Sequence, residues 1–338
     1  MNPEPVDGAG RVGTGAGQEV RVEVPALLGG VRVDRAVSLL TGVSRAAAAA
    51  LVDGGRVSLG GSAVRARNRL LHEGEVLEVS IGDPSAGPVS PDPDVPVTVV
   101  HADSEVIVVD KQAGLVVHPG AGHHDHTLVG GLLARFPDLA ALSASGVCEP
   151  GRPGVVHRLD RGTSGLLAVA RTERAYRSLV AQLSDRSVER RYLALVRGHP
   201  EEERGVVDAP IGRSARTPTR MAVSAQGRTA RTRFRVVARY EEPGPSALLM
   251  LTLETGRTHQ IRVHLAAIGH PVVGDDRYGK RRGDRLEAGL PDGRLFLHAG
   301  RLGFDHPATG DRMTWDSALP ADLASLLGEV PALPADDQ

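Results

Sequence analysis

Two apolar segments enclose a polar loop that carries the first residues able to do chemistry, in the stretch VVHRLDRGTSGLL (155–167). Loops held by a rigid scaffold often present reactive groups. Asp160 lies here close to Arg158 and Arg161, and a carboxylate among cations is expected to stay ionised. An ionised aspartate suits the role of a nucleophile or a base rather than that of an acid. The ordinary alternative is an aspartate that caps its own turn.

A second stretch, LETGRTHQIRVHL (253–265), predicts a strand that runs through glycine into a helix. Arg257 lies where this helix is predicted to start, and His259 and Arg262 share one edge of it. The start of a helix offers side chains and free backbone N–H groups to an anion. A helix start with solvated arginine and histidine side chains is the alternative.

The third stretch, ERRYLALV (189–196), has the pattern of a strand that places Tyr192, Ala194 and Val196 on one side. Aromatic residues make up only 3% of the chain, so a tyrosine among arginines is a scarce surface on which a nucleic-acid base could stack. A tyrosine at the edge of the core is the common alternative.

Taken alone, the net charge of −1 argues against a nucleic-acid partner, since domains that bind nucleic acids are usually basic. The charge is unevenly distributed, however. Residues 72–110 carry a net −9 and residues 302–338 a net −6. Residues 151–239 hold nineteen arginines and eight acidic residues, a net +11. A positive block of this kind can attract a polyanion, although solvated ion pairs are the alternative.

The elements that must position these residues fall into four segments. Residues 1–18 are glycine-rich and aperiodic, which predicts a disordered tail. Residues 19–82 predict a small domain with two short helices, a hairpin and a further strand. Residues 83–96 are rich in proline and glycine and predict a linker. Residues 97–330 form the remaining large domain.

The fold class follows from the order of strands and helices in this large domain. Apolar strands are predicted around residues 97–101, 105–111, 155–159, 165–171, 191–198, 231–240, 247–254 and 294–306, and helices around 127–136, 172–183 and 258–269. The strands do not alternate regularly with helices, which argues against a doubly wound parallel sheet. We therefore expect an α+β fold with a mostly antiparallel sheet and flanking helices.

Several classes of protein are unlikely on composition. Cys148 is the single cysteine, so an intrachain disulfide and a cysteine-based zinc site are both excluded. The first twenty residues lack the basic start and apolar stretch of a signal peptide. Apolar runs such as Ala247–Leu251 are much shorter than a membrane span. We expect a cytoplasmic protein without a membrane partner, and a monomer.

The three stretches together resemble the RluA-type pseudouridine synthases, and in particular the RluD-like enzymes of the large ribosomal RNA. HRLDRGTSGLL and GRTHQIRVHL are the most specific motifs. DKQAGLVVHPG (110–120), HPVVGDDRYG (270–279) and LFLHAGRLGF (295–304) resemble further motifs of the family. Residues 19–82 resemble the small RNA-binding domain, named after a small-subunit ribosomal protein, that precedes the catalytic domain in RluD-like members.

The resemblance implies a reaction that needs no cofactor or metal and converts uridine in RNA to pseudouridine. The glycosidic bond breaks, the uracil turns, and its carbon 5 joins the ribose. Asp160 aligns with the family's aspartate, which starts the reaction either as a nucleophile or as a base. Tyr192 aligns with the tyrosine that stacks on the target base, and Arg257 with the arginine that pairs with the aspartate. Arg158 aligns with the residue that fills the space left by the flipped uridine.

The resemblance also implies which residues bind the substrate, and it leaves other functions open. The expected substrate-binding residues are His157, Arg158, Arg161, Thr163, His259, Gln260 and Arg262. The RNA could instead be a transfer RNA. A non-catalytic RNA-binding or ribosome-assembly protein is the alternative from a different class, but it would be expected to have lost Asp160, Tyr192 or Arg257.

Two features depart from simple expectations. The histidines of HPGAGHHDH (118–126) could suggest a metal site, but the usual metallo-hydrolase spacing needs a histidine at Ala121, so we expect no bound metal. The helix predicted at SRAAAAALVDGG (44–55) has only Arg45 and Arg56 beside its alanines, where the family usually carries several basic residues. We therefore expect the small domain to bind RNA weakly.

Overall fold

The computed structural model describes residues 19–41, 45–80, 89–120, 125–149, 151–214, 216–217, 219–279, 285–329 and 331. The predicted tail at 1–18 and the first part of the predicted linker, 83–88, lie outside these residues. The chain divides into two units, residues 1–89 with 143–151 and residues 90–142 with 152–338. Over the described ranges, none of the helices has the length and apolar character needed to cross a membrane.

The small unit consists of a four-stranded antiparallel sheet and two helices. Its elements are β1 (Glu19–Glu23), α1 (Val33–Thr41), α2 (Arg45–Asp53), β2 (Val57–Leu59), β3 (Ser62–Ala63) and β4 (Val76–Ser80). The strand order is β1-β4-β2-β3. The predicted helices, hairpin and last strand are present, and β1 is an additional strand that pairs with β4. Apolar side chains from both helices and the sheet form the buried core, including Val33, Val37, Val52, Val57, Leu71 and Leu77.

The rest of the chain contains eleven described strands and five described helices. The strands are β5 (Thr98–Ala102), β6 (Val106–Lys111), β7 (Ser164–Ala170), β8 (Glu189–Arg197), β9 (Arg204–Asp208), β10 (Ile211–Arg213), β11 (Met221–Val223), β12 (Arg231–Tyr240), β13 (Ser246–Leu253), β14 (Leu297–Asp305) and β15 (Arg312–Asp316). The helices are α3 (Leu128–Arg135), α4 (Ala140–Ala144), α5 (Glu173–Ser184), α6 (Gln260–Ala267) and α7 (Ala321–Ala324).

The large sheet confirms the expected α+β class. Its strands lie in the order β5-β6-β7-β14-β8-β13-β12-β9, with β15 paired to β14. Within the described residues β7 and β14 pair in parallel, and the other pairings of this sheet are antiparallel. Strands β10 and β11 form a separate two-stranded hairpin. Leu179 of α5 packs with Leu166 of β7 and Phe304 of β14, so this helix covers one side of the sheet.

The parallel pairing of β7 with β14 depends on a close backbone approach. Gly165 has a φ of +113°, and a Cβ atom there would lie 2.3 Å from the carbonyl oxygen of Ala299. A side chain at position 165 would therefore push the two strands apart. The polar loop that holds Asp160 ends directly at the start of β7, so this contact also fixes one end of the loop.

The segment before the loop differs from the sequence-based expectation. Residues 155–159 are predicted as a strand, but they form only a single bridge, between Val155 and Val169. The reason is a side-chain hydrogen bond, because the backbone N–H of Ala168 donates to Nε2 of His157 at 3.0 Å. That N–H is then not available to a neighbouring strand, and the segment stays irregular.

The second half of the predicted linker packs onto the large unit. The backbone N–H of Asp92 donates to the carbonyl oxygen of Gly130 in α3 at 2.9 Å. Val95 is buried, and a Cβ atom at Gly131 would lie 2.9 Å from its side chain. Residues 90–96 therefore belong to the large unit although they form no helix or strand.

Candidate active site

A cavity of about 570 Å³ in the large unit brings the three sequence stretches together. Its walls include the loop around Asp160, Tyr192 on β8 and the turn that leads into α6. A volume of this size is typical of a pocket for one small molecule or one nucleotide.

Asp160 lies at the cavity wall, with its side chain 16% exposed. Its Oδ2 accepts a hydrogen bond from Nη1 of Arg262 at 3.0 Å. Its Oδ1 lies 3.9 Å from Nε2 of His259. The backbone carbonyl of Asp160 accepts the N–H of Thr163, which closes the loop into a tight turn. The carboxylate is thus held by a charged hydrogen bond and remains open to the cavity.

Arg262 is itself held by a second carboxylate. Its Nε and Nη2 donate to Oδ2 and Oδ1 of Asp275 at 2.7 and 2.9 Å. Oδ1 of Asp275 also accepts the backbone N–H groups of Arg277 and Tyr278, both at 3.0 Å. Burial lowers the pKa of Arg262, but the hydrogen bonds and charges of Asp275 and Asp160 outweigh burial and raise it. A bidentate pair of this kind fixes the guanidinium in one orientation, facing Asp160.

The expectation that Arg257 pairs with the aspartate is wrong. Nε of Arg257 donates to the backbone carbonyl of Thr229 at 3.0 Å, and Arg262 occupies the place beside Asp160. Helix α6 begins at Gln260, so Arg257 lies in the preceding turn. Arg262 is in the first turn of the helix and faces the loop. Arg257 still lines the cavity.

Tyr192 lies on β8 and faces the same cavity. Burial raises the pKa of this phenol to about 12, Arg190 lowers it, and the negative charge of Asp160 raises it further. The side chain is therefore protonated at neutral pH. It offers a hydroxyl donor and part of a ring surface, but not a phenolate.

His259 links the cavity to Tyr278. The backbone N–H of Met221 donates to the hydroxyl of Tyr278 at 3.2 Å, and this hydroxyl lies 2.7 Å from Nδ1 of His259. Burial lowers the pKa of His259, although Asp160 opposes this effect. The other ring nitrogen, Nε2, lies 3.9 Å from Oδ1 of Asp160.

Three further residues of the expected substrate-binding group line the cavity: His157, Arg158 and Thr163. Burial, reinforced by the charge of Arg190, lowers the pKa of His157 to about 3, so this histidine is a neutral acceptor for the backbone. Nη1 of Arg158 donates to Nε2 of His118 at 3.2 Å. Oγ1 of Thr163 is buried and has no hydrogen-bond partner among the residues described.

Arg161 and Gln260 are engaged within the protein. Nε of Arg161 donates to the backbone carbonyl of Gly114 at 3.1 Å, and Arg161 does not line the cavity. The side-chain amide of Gln260 exchanges hydrogen bonds with four neighbours, namely Thr255, Arg257, Arg231 and Thr232. Gln260 therefore fixes the wall of the cavity, and its amide is not available to a substrate.

Similarity to known proteins agrees with this geometry. A sequence model of the family described as RNA pseudouridylate synthase matches residues 105–267. A protein of Nitrosomonas europaea named ribosomal large subunit pseudouridine synthase D is 41% identical over 320 residues, which cover 93% of this chain and 89% of that protein.

The chain belongs to the RluA-type family of RNA pseudouridine synthases.

Two further relatives of this RNA pseudouridine synthase extend the comparison. A protein of Bacillus subtilis named uncharacterized RNA pseudouridine synthase YlyB is 42% identical over 276 residues, or 82% of this chain and 86% of that protein. The solved structure of human RNA pseudouridylate synthase domain containing 1 is 30% identical, with a TM-score of 0.55. The matched region covers 73% of this chain and 94% of the human chain.

Sequence reasoning missed several residues that hold the synthase's loop in place. Nζ of Lys111 donates to the carbonyl oxygen of Leu115 at 2.9 Å and lies 3.4 Å from that of Arg161. Nη1 of Arg294 donates to the carbonyl of Gly162 at 2.9 Å. These cations lie in or beside the matched motifs DKQAGLVVHPG and LFLHAGRLGF, and Asp275 lies in HPVVGDDRYG. The motifs were therefore the available signal, but spacing alone does not show what each residue contacts.

The histidine-rich segment of the synthase has ordinary protein contacts. Nδ1 of His118 donates to the carbonyl of Pro119 at 2.9 Å, and Nδ1 of His126 lies 3.0 Å from Asp92. His123 and His124 are not among the described residues. In the part of the chain that is described, no group of three metal-binding side chains comes together.

Proposed function

We propose that this pseudouridine synthase isomerises specific uridines in the RNA of the large ribosomal subunit. The support for this substrate is the name shared by three relatives that are 41–42% identical, each a ribosomal large subunit pseudouridine synthase D. The same chemistry on transfer RNA is the competing assignment.

We assign the first step to Asp160. The observation that carries this assignment is the chain of ion pairs from Asp275 through Arg262 to Asp160, which ends at the cavity beside Tyr192. Arg262 is fixed by Asp275 and so keeps a positive charge next to the Asp160 carboxylate. A carboxylate held in this way can attack the sugar or remove a proton, because Asp160 lines the cavity and Arg262 engages Oδ2 but not Oδ1.

We assign Tyr192 the role of supporting the uracil. Its raised pKa makes it a poor base at neutral pH, so its contribution is the ring and the hydroxyl proton. A group other than a tyrosinate therefore accepts the proton from carbon 5 of the base. Arg158, Thr163 and His259 are the remaining residues that we place at the substrate, whereas Arg161 and Gln260 act by fixing the protein around it.

We also infer that residues 19–82 assist in binding RNA and that the enzyme works as a monomer in the cytoplasm. What supports the monomer is that Asp160, Arg262 and Asp275 of one chain complete the ion-pair chain by themselves. Analytical ultracentrifugation at micromolar concentration tests it, and a sedimentation coefficient of a dimer would contradict it.

The RNA class is tested with purified substrates that carry no modification. Large-subunit ribosomal RNA and a pool of transfer RNA are transcribed in vitro, incubated with equal amounts of the protein, and mapped by chemical modification and primer extension. We expect pseudouridine at discrete positions of the large-subunit RNA. Modification of the transfer RNA with none in the ribosomal RNA would overturn the substrate assignment and leave the chemistry intact.

A further inference from the structure

Arg190 is a buried cation at the active-site cavity. Only 5% of its surface is exposed, and it lines the cavity together with Tyr192, two residues further along β8. Residues two apart on a strand point to the same face, so the guanidinium and the phenol ring share one wall.

The guanidinium of Arg190 has no acidic partner within the described residues. Its Nη2 reaches the backbone carbonyls of Leu253 and Glu254, both at the long distance of 3.4 Å. Its Nε is buried without a hydrogen-bond partner. The nearby acids pair with other arginines: Glu254 with Arg186, Arg231 and Arg233, and Glu189 with Arg191, Arg301 and Arg312.

A buried charge without a counter-ion destabilises a fold, because the protein replaces little of the hydration that the charge loses. Burial indeed lowers the pKa of Arg190, with only a partial opposing effect of Tyr192. Such a group contributes little to folding, and its position at the cavity points instead to a step in which negative charge appears there.

The backbone around Arg190 is shaped to hold it in this place. A Cβ atom at Gly256 would lie 2.8 Å from Nη1 of Arg190. Gly256 lies in the turn between β13 and α6 that also carries Arg257 and forms part of the cavity wall. The absence of a side chain at position 256 thus leaves the room that the guanidinium occupies.

The reaction generates such a charge on the base. When the C1′–N1 bond breaks, its electron pair stays with the uracil, which becomes an anion with its charge spread over N1 and the two carbonyl oxygens. This holds whether Asp160 attacks C1′ or removes a sugar proton. When the C1′–C5 bond forms, the base supplies the electron pair, the negative charge returns to the Asp160 side, and the C5 proton is transferred so that N1 ends protonated.

We propose that Arg190 is a catalytic residue that binds the departing uracil and stabilises its negative charge, with Gly256 positioning the guanidinium. A fixed cation in a low-dielectric site stabilises a developing anion strongly and needs no rearrangement at the moment of reaction. The inference rests on the proposed use of Asp160 and Tyr192 at the same cavity.

The test varies both the enzyme and the leaving group. Arg190→Met keeps the length of the side chain and removes the charge, and Arg191→Met is the matched control, since Arg191 is the next residue on β8 and pairs with Glu189. Each protein reacts in single turnover with RNA that contains either uridine or 5-fluorouridine at the target position. Nuclease digestion and chromatography measure how much of the original nucleoside has been lost at each time.

Because 5-fluorouracil is the better leaving group, it needs less help from a cation. We expect Arg190→Met to react about 10²–10³-fold more slowly than the wild type with uridine RNA. With 5-fluorouridine RNA, the factor by which the variant is slower should be at least tenfold smaller. Arg191→Met should change both rates less than threefold, and Gly256→Ala should show the selectivity of Arg190→Met in weaker form. The thermal midpoint of Arg190→Met should equal or exceed that of the wild type, since the variant removes an unpaired buried charge.

Equal losses on the two substrates, or a lowered thermal midpoint that accompanies the loss of activity, would overturn the role of Arg190. A failure of the underlying site assignment has a different signature, because Asp160→Asn would then react as fast as the wild type with uridine RNA.

Discussion

Arg262 connects the carboxylates of Asp160 and Asp275. The sequence suggested Arg257 as the partner of Asp160, whereas the structure places Arg262 there. Asp275 is almost fully buried and depends on Arg262 for two hydrogen bonds, while Asp160 depends on it for one. Removing the arginine would leave one buried and one partly buried carboxylate without their cation.

We therefore predict different effects for the two arginines of the GRTHQIR motif. Arg262→Gln should lower kcat at least about 100-fold and destabilise the protein by about 3–5 kcal/mol, the usual cost of breaking a buried pair. Arg257→Gln should lower kcat less than about tenfold and leave stability within about 1 kcal/mol, because its side chain donates to one backbone carbonyl, that of Thr229. Single-turnover kinetics and urea unfolding measure both. A larger effect at position 257 would contradict the geometry.

The presence of Asp160 and Tyr192 at one cavity could be predicted from the sequence, because each lies in a distinctive motif that resembles one of the family. The choice between Arg257 and Arg262 could not. It depends on where α6 begins and on Asp275, which lies 115 positions beyond Asp160 and is brought to it only by folding. Gln260 was expected to bind substrate for a related reason, since both acceptors of its side-chain NH₂ group, Arg231 and Thr232, lie on β12 and are brought to it by folding.

At the scale of elements, long strands with continuous apolar character were predictable, as β7 and β8 show. Short strands of mixed composition, such as β9 and β15, were not, because they acquire their pairing from longer neighbours. Residues 155–159 have the composition of a strand but lose that conformation to the hydrogen bond from Ala168 to His157. A local pattern cannot show this competition between a side chain and a strand partner.

Lys111 joins three segments and makes the stability of the large unit depend on pH. It lies at the end of β6 and is 1% exposed. Its Nζ donates to the carbonyls of Gln112 and Leu115 in the next turn and, over a longer distance, to that of Arg161 in the loop that holds Asp160. Burial lowers the pKa of Lys111 to about 7, although the charge of Asp160 raises it. An unfolded lysine keeps its proton up to a pH of about 10.4.

Between these two pKa values the unfolded chain binds one more proton at Lys111 than the folded chain, so this residue makes stability rise with pH. We predict that the free energy of unfolding of the wild type, relative to Lys111→Met, rises by on the order of 1 kcal/mol per pH unit from pH 7 to pH 10. Urea unfolding of both proteins at matched salt concentration measures the difference. If the difference in unfolding free energy between wild type and Lys111→Met stayed constant or fell over this range, the lowered pKa of the buried Lys111 would be contradicted.

At the scale of the whole molecule, the net charge of −1 conceals an uneven distribution of charge that matters for RNA binding. The positive block of residues 151–239 contains the loop that holds Asp160 and strand β8. The small domain at 19–82, by contrast, holds eight arginines and seven acidic residues, a net charge of only +1. Most of the electrostatic attraction for RNA should therefore come from the large unit.

This distribution predicts a small effect of charge removal in the small unit. Arg35, Arg45 and Arg65 are exposed, and a full-length variant with all three changed to glutamine should bind RNA less than about tenfold more weakly at physiological salt. Filter binding at several salt concentrations measures affinity and its salt dependence. A loss of several hundredfold would show that the small unit supplies the main contacts with RNA.

The central claim, that the carboxylate of Asp160 starts the isomerisation, is tested most directly by removing its charge and nothing else. Asp160→Asn keeps the size of the side chain, and a substrate-binding measurement on the same RNA checks that the cavity is intact. Wild type and variant are incubated with unmodified large-subunit RNA in single turnover, and pseudouridine is mapped by chemical modification and primer extension. The account predicts discrete sites for the wild type and a rate for Asp160→Asn lower by at least about 10³-fold. Pseudouridine formation at the wild-type rate in the variant would contradict it.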